Sequence, residues 1–408
     1  MTTRRSFLKS SAGGMLLAPI GCAGLPIVEP LDAHRDRVVL GLFPSTELAT
    51  PEDAVHKTLE HVDMDWLRPG DSVFVKVASN SANSHPATTS PTAVRAMCKA
   101  LFDRGAGRVV VGDQCGVMSA RLVAAKEGEE AKGDRRWRST KGVMEGNGLF
   151  QAIVDGGGEP HFFDDQGFDA GYIKATLPPG NSWRRAPHIP RIVNEVDHIV
   201  YLPRLSSHVL CGYTHGHKIS VGWMRDDTRH EMHSDAGNIY EKYTELNYCE
   251  EIGSRLRLTL TLAEEVLCDG GPDGGGIAKA DPRIVLASSH LANHDAVSVG
   301  LLTWAQKNLE RERNTGGVPY GAWATASNTA FLGIVELQTG IPWTSPGAAI
   351  PLSYWAHDYG GGIESDRALT RAYELLGGVP RSIEVALAGQ APEAALREHL
   401  EKLLPVAL

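Results

Sequence analysis

None of the six cysteines in this 408-residue chain stands in a Cys-x-x-Cys pair. Cluster ligation of the ferredoxin type needs closely spaced thiolates, so an iron–sulfur cluster is excluded as a cofactor. Beyond Cys22, the five others are Cys98, Cys115, Cys211, Cys249 and Cys268, an odd number that leaves at least one thiol free if disulfides form. Dense Lys/Arg patches are also missing, and the formal net charge is -9, which argues against nucleic acid as a partner. No apolar run after the first residues approaches the about 20 residues of a transmembrane helix. The chain has no Gly-x-Ser-x-Gly elbow, no His-Glu-x-x-His pair and no Walker Gly-Lys-Ser/Thr ending, and no internal repeat.

The amino end reads as a targeting signal. Arg4-Arg5-Ser6-Phe7-Leu8-Lys9 is a twin-arginine pattern, followed by a short apolar stretch, Ala12–Ile20. Residues 1–30 are therefore expected to be a cleaved signal handled by the twin-arginine translocase, with a periplasmic or secreted product and no transmembrane span. Pro19-Ile20-Gly21-Cys22 faintly resembles a lipoprotein cleavage site; Pro19 fits that pattern poorly, so lipid anchoring at Cys22 is the lesser alternative to simple cleavage.

The remaining length, about 375 residues, exceeds one usual core. Strand patterns at Val38–Phe43, Ser72–Ala78, Arg108–Gly112, Pro160–Phe163, Val196–Leu202, Leu258–Leu267 and Arg283–Ala287 alternate with helical spacing at Pro51–Trp66, Pro91–Arg104, Gly148–Val154, Asn238–Ser254 and His290–Leu309. That alternation predicts an α/β fold: a mostly parallel open sheet with flanking helices, and insertions or a second smaller lobe. Glu127–Gly146 reads as a charged, solvated insertion, and Gly167–Pro190 as an irregular connection or a small hairpin lobe. Residues 311–408, with a Gly- and aromatic-rich part and two surface helices at Asp366–Leu376 and Pro392–Leu404, are expected to pack on the same domain as residues 36–310.

Function is sought at Tyr201–Asp235, which follows an apolar strand pattern and carries His208, His215, His217, His230 and His233. His215 and His217, two apart on an extended segment, share a face; His230 and His233, three apart on a helix, do too. Neutral imidazoles with nearby carboxylates (Asp226, Asp227, Glu231, Asp235) suit a transition metal ion, with zinc, iron, manganese and copper not distinguished. The plain alternative is that these are solvated or hydrogen-bonded histidines. Lys76 lies inside an apolar strand and needs a partner or loses its proton, and Asp113 ends the next strand. The rival is a lysine at an exposed strand end. Lys218 beside His217 is a candidate for binding an anionic group. Cys268–Gly276 is Gly-rich and either presents N–H groups to an anion or is a plain turn, with Asp269 at a strand end. His294-Asp295 reads chiefly as structural.

Four stretches carry a family resemblance: Val73-Phe74-Val75-Lys76 with Asn80 and Thr88-Thr89-Ser90-Pro91; Gly105–Asp113; Ile199–Lys218; and Cys268–Gly275 with Ala292–Ala296. In this order and spacing the chain resembles the DUF362 family, a domain of unknown function, over roughly residues 36–305. The resemblance favours a site at Lys76 and implies no particular reaction. The chain departs from it in having Ser206-Ser207-His208 where Lys-x-His is common, His290 where Asp is common, and no ferredoxin-like module.

The leading expectation is an exported metal-dependent enzyme, redox or hydrolytic, acting on a small polar or anionic substrate. Lys76, Asp113, Lys218 and Asp269 would be its catalytic groups and the five histidines would hold the ion. The alternative is a non-catalytic periplasmic metal- or ligand-binding protein. A third reading is a partner-binding lobe at Gly316–Trp355.

Overall fold

The computed structural model describes residues 25–28, 36–116, 121–122, 133–134, 139–208, 211–268, 279–310 and 362–408. The segment expected to be a signal, residues 1–30, therefore lies outside the described residues apart from 25–28. Cys22, Asp269 with most of its glycine-rich loop, the bulk of the charged insertion and the stretch 316–355 also lie outside them.

The strand patterns assemble into one nine-stranded sheet. In chain order its members are β1 (Val38–Leu42), β2 (Ser72–Val77), β3 (Arg108–Asp113), β4 (Glu159–Phe162), β5 (His198–Leu202), β6 (Leu256–Ala263), β7 (Ile284–Ser288), β8 (Ile383–Leu387) and β9 (Val406–Ala407). In space the order is β9-β8-β1-β7-β6-β5-β2-β3-β4. Only β7 runs against the others, pairing antiparallel with both β6 and β1. The fold is thus α/β with a mostly parallel sheet.

Helices pack around the sheet, among them α1 (Pro51–Glu60), α2 (Pro91–Asp103), α3 (Thr140–Asn147), α4 (Leu149–Asp155), α5 (Asp226–Ser234), α6 (Ile239–Leu246), α7 (Leu291–Glu310), α8 (Arg367–Leu375) and α9 (Ala394–Leu403). Strand β2 shows how the layers form. Strands of parallel sheets are buried on both faces. Val73, Val75 and Val77 join one cluster with Val94, Met97 and Leu101 of α2. On the other face Phe74 joins Tyr201 and Trp223. Lys76, two residues on, shares that second face.

Several boundaries differ from the sequence patterns for local reasons. The first helix stops at Glu60 rather than Trp66, because Asp63 turns the chain by accepting from the Asp65 N–H at 2.9 Å. The pattern Asn238–Ser254 breaks after Leu246, where the Asn247 amide donates to the carbonyls of Tyr243 and Thr244 at 2.8 and 3.2 Å. Helix α3 occupies the end of the charged segment expected to be a solvated insertion, and Gly167–Pro190 contains an antiparallel pair, Tyr172–Lys174 with His188–Pro190. The two terminal helices are not merely superficial: α8 buries Ala368, Leu369, Ala372 and Tyr373, and α9 buries Leu396, Leu400 and Leu403. Between them β8 pairs with β1, which the sequence reading missed.

The order β6-β5-β2-β3-β4 contains a reversal. From β2 the chain winds outward through β3 to β4, then returns to place β5 on the other side of β2. Loops leaving β2 and β5 at their carboxyl ends therefore diverge and open a crevice, the usual ligand site of doubly wound sheets.

Candidate functional site at the carboxyl ends of β2, β3 and β5

Lys76 and Asp113 meet at this crevice. Lys76 Nζ lies 2.5 Å from Asp113 Oδ1 and also donates to the Val77 carbonyl at 2.8 Å. The other carboxylate oxygen accepts from the Ser79 N–H at 2.6 Å. Lys76 is fully buried, so desolvation lowers its pKa, with Asp113 opposing the shift. The Trp223 ring lies 5.4 Å from the ammonium.

Trp223 closes a short 3-10 segment, His217–Trp223, that lies across the pair. Its Gly222 is the closest approach: a Cβ built there would sit 1.9 Å from Asp113 Oδ1 and 2.4 Å from Lys76 Nζ. Sequence reasoning missed this glycine, whose spacing from Lys218 carries no signal by itself.

Lys218, from the same segment, donates to His208 Nε2 at 3.1 Å. His208 sits on a short strand, Ser206–His208, that leaves the carboxyl end of β5. An imidazole nitrogen that accepts from an ammonium carries no proton, so this ring is neutral. Burial holds the His208 pKa well below its ordinary value, and Lys218, Arg204 and His233 add to the effect. Burial likewise holds His233 low, assisted by Lys218, Arg229 and His230. Arg204 and Arg229, both buried, were not singled out from sequence. Arg204 follows the apolar run of β5 within Pro203-Arg204-Leu205, the one sequence cue to it.

The five histidines do not converge. His215 and His217 do not lie on one extended segment, because Gly216 is already helical and His217 begins the 3-10 turn. His217 is held on both sides: Nδ1 contacts Asp295 Oδ2 at 2.8 Å and Nε2 contacts the Tyr248 hydroxyl at 2.9 Å. His215 instead stacks on Tyr213, centroids 4.6 Å apart. Burial lowers its pKa to about 4, and neither ring nitrogen makes a well-formed hydrogen bond among the described residues. His230 and His233 do share one helix, α5. Glu231 faces away to Lys242 and Arg185, and Asp227 pairs with Arg225. Among the described residues no three His, Cys, Asp or Glu side chains form a group able to hold a metal ion. The residues therefore do not fit the single five-histidine centre read from the sequence.

Asp295, read from sequence chiefly as structural, is the hub beneath this segment. It accepts from the N–H groups of Gly216 and His217, both at 2.8 Å, and meets the rings of His217 at 2.8 Å and His294 at 3.0 Å. The free cysteines do not add a nucleophile: burial raises Cys115 to about 12 and Cys211 to about 11, so both are thiols near neutrality.

Asp366, the N-cap of α8, is fully buried and accepts from the Leu369 N–H at 2.9 Å. Burial raises its pKa from 3.8 to about 6 despite that bond. A carboxyl raised on folding contributes stability that is complete below the unfolded value and is lost as pH climbs through the folded one. Between about pH 4 and pH 7 the wild type should therefore lose on the order of 2 kcal/mol relative to Asp366→Asn, which keeps the cap acceptor. Urea denaturation of both proteins at the two pH values checks this; parallel changes would show that Asp366 is not raised.

A doubly wound α/β domain with a lysine- and histidine-bearing crevice at its switch point is the class these features define. The family model for a domain of unknown function, DUF362, matches residues 73–300, which span β2 to the middle of α7. The match covers more than half of the chain, and the chain belongs to that family. No curated protein matches it significantly.

Proposed function

We propose that this chain is an exported enzyme that acts on a small anionic substrate in the crevice between β2 and β5. The observation that carries the reading is the Lys218–His208 contact at 3.1 Å in buried surroundings. Among the described residues, the groups that act on His208 beside burial are Lys218, Arg204 and His233. Such a pocket attracts an anion and keeps His208 uncharged. An incoming anion would draw the Lys218 ammonium toward itself. His208 Nε2 would then be released to accept a proton from the substrate, the usual role of a neutral imidazole. The Lys76–Asp113 pair would fix the crevice floor. A metal ion would supply Lewis acidity if one binds, and no step here is assigned to it.

The same crevice in a ligand-binding protein without turnover is the second reading. It is favoured by His215, a buried imidazole whose nitrogens lack well-formed bonds among the described residues.

The two are separated in full-length protein by thermal unfolding with inorganic phosphate, sulfate and malonate, alongside metal analysis of protein purified without added metal. Binding at about a hundred times Kd raises stability by about 2.7 kcal/mol. Lys218→Met should abolish the response, and His208→Ala should weaken it. Stoichiometric metal lost in His215→Ala would favour the second reading. If no anion stabilises the wild type, or Lys218→Met responds like it, the substrate class is wrong.

A further inference from the structure

Helix α7 opens on an imidazole. His290 immediately precedes its first residue, Leu291, and the His290 carbonyl accepts from the His294 N–H at 3.0 Å, the first bond of the helix. The side chain then folds back, and its Nδ1 accepts from the Asn293 N–H at 3.1 Å. That is the N-cap contact to the third helical residue, a place usually filled by an oxygen of Ser, Thr, Asp or Asn. The residue is held in place from two sides. Its own N–H donates to the Ser288 hydroxyl at 3.0 Å, and the Tyr373 ring stacks on the imidazole with centroids 6.4 Å apart.

An imidazole caps a helix only while it is neutral. An Nδ1 that accepts carries no proton, so the single ring proton is on Nε2. An imidazolium has a proton on both nitrogens and no acceptor left. It also sets a positive charge at a helix N-terminus, where the macrodipole disfavours it. Hydroxyl and amide caps keep their acceptors near neutrality and in mild acid; a histidine cap does not.

The surroundings favour the neutral ring. Burial lowers the His290 pKa, the Asp36 carboxylate ahead of β1 opposes the shift, and His217 of the 3-10 segment adds to it. Tyr373 of α8 stays uncharged, because burial raises its pKa well above the ordinary value. Asp63, Asp71, Asp197, Arg68, Arg257 and His198 line the same cavity as the ring, of about 750 Å³. A depressed imidazole contributes stability that is complete above its unfolded value of about 6.5 and is lost as pH falls through the folded one.

The turn that this cap starts carries the groups that hold the 3-10 segment. Asn293 accepts from the Tyr373 hydroxyl at 2.8 Å and donates to the Asp36 carbonyl at 2.6 Å. Two residues on, Asp295 accepts from the N–H groups of Gly216 and His217.

We propose that His290 is a proton-sensitive cap: a proton taken up at Nδ1 undoes the first turn of α7 and loosens the Asp295 seat of the segment that presents Lys218. The anion crevice is thereby ordered near neutrality and slack in acid. That consequence rests on the anion reading of the crevice; the loosening itself does not.

Hydrogen exchange of the full-length protein, without any ligand, tests the loosening apart from that reading. From about pH 7.5 to about pH 5, protection corrected for the intrinsic rate should fall about fivefold at the amides of Asn293, Gly216 and His217, the effect of one lost cap. His290→Asn and His290→Ser supply an acceptor that does not titrate in this range, and protection at the same amides should then hold. The amides of β2 report any change in global stability. Wild-type protection that does not fall, a fall of equal size in both variants, or a fall confined to Asn293 overturns the proposal. Failure of the anion titrations would leave the exchange result standing and remove only its consequence for the crevice.

Discussion

Gly222→Ala is expected to cost on the order of 4 kcal/mol or more, a large part of the roughly 5–15 kcal/mol that holds a domain together. The methyl group would fall 1.9 Å from Asp113 Oδ1 and 2.4 Å from Lys76 Nζ, inside any permitted contact. Overpacking alone typically costs about 1–3 kcal/mol. Here the atoms in the way are an ion pair with 0% and 4% of its side-chain surface exposed, and moving either partner leaves a buried charge uncompensated, worth about 3–5 kcal/mol. Neither can retreat easily: Lys76 is anchored to Val77 O and Asp113 to the Ser79 N–H. The 3-10 segment would have to lift instead, taking Trp223 off Phe74 and Phe163, which it meets at centroid distances of 5.0 and 5.5 Å. Gly237→Ala is the control, since a Cβ there meets nothing within 4 Å. Chemical denaturation of the two variants decides the matter: a Gly222→Ala midpoint equal to that of Gly237→Ala would mean that the segment does not bear on the pair.

The sheet was legible because its strands are short apolar runs set between helices with ordinary start and stop signals. Ser90-Pro91 caps and opens α2, and Gly105, at φ 98°, closes it. Lys76 could be read too, because a lysine inside Val-Phe-Val-Lys-Val has few fates once the strand is buried. His215 and His217 were misread as a pair for a different reason. Period-based reasoning assumes one regular conformation across a segment, and the chain changes from extended at Gly212–Thr214 to helical at Gly216 between two of them. That change sends His215 to Tyr213 and His217 to Asp295, a residue 78 positions away. Contacts of that separation have no local signature. Strand β8 had one, the alternation Ile383-Glu384-Val385, but it is short and lies between two stronger helix patterns.

Asp295→Asn should destabilise the protein by about 3–5 kcal/mol and loosen the segment that presents Lys218. Burial alone would push this carboxyl up, yet the contacts with His217 and His294 outweigh it and hold the group charged, well below the usual carboxylate range. One assignment of protons satisfies the whole network. Both imidazoles donate from Nδ1 to Asp295, while their Nε2 atoms accept from the hydroxyls of Tyr248 and Thr261 at 2.9 and 3.1 Å. A carboxylate can take four donors; an amide cannot. Its NH₂ group would face either the Gly216 N–H on one side or the His217 N–H and ring on the other, and a backbone N–H has no alternative tautomer. A depressed carboxyl contributes stability above its unfolded pKa that fades as pH falls toward the folded one, so the wild-type advantage over the variant should shrink in acid. Hydrogen exchange supplies the local readout: the amides of Gly216 and His217 should lose protection in the variant, while those of β2 change only with global stability. Unchanged protection at those two amides, with stability within about 1 kcal/mol of wild type, would mean that Asp295 is not the group that seats Lys218 against His208.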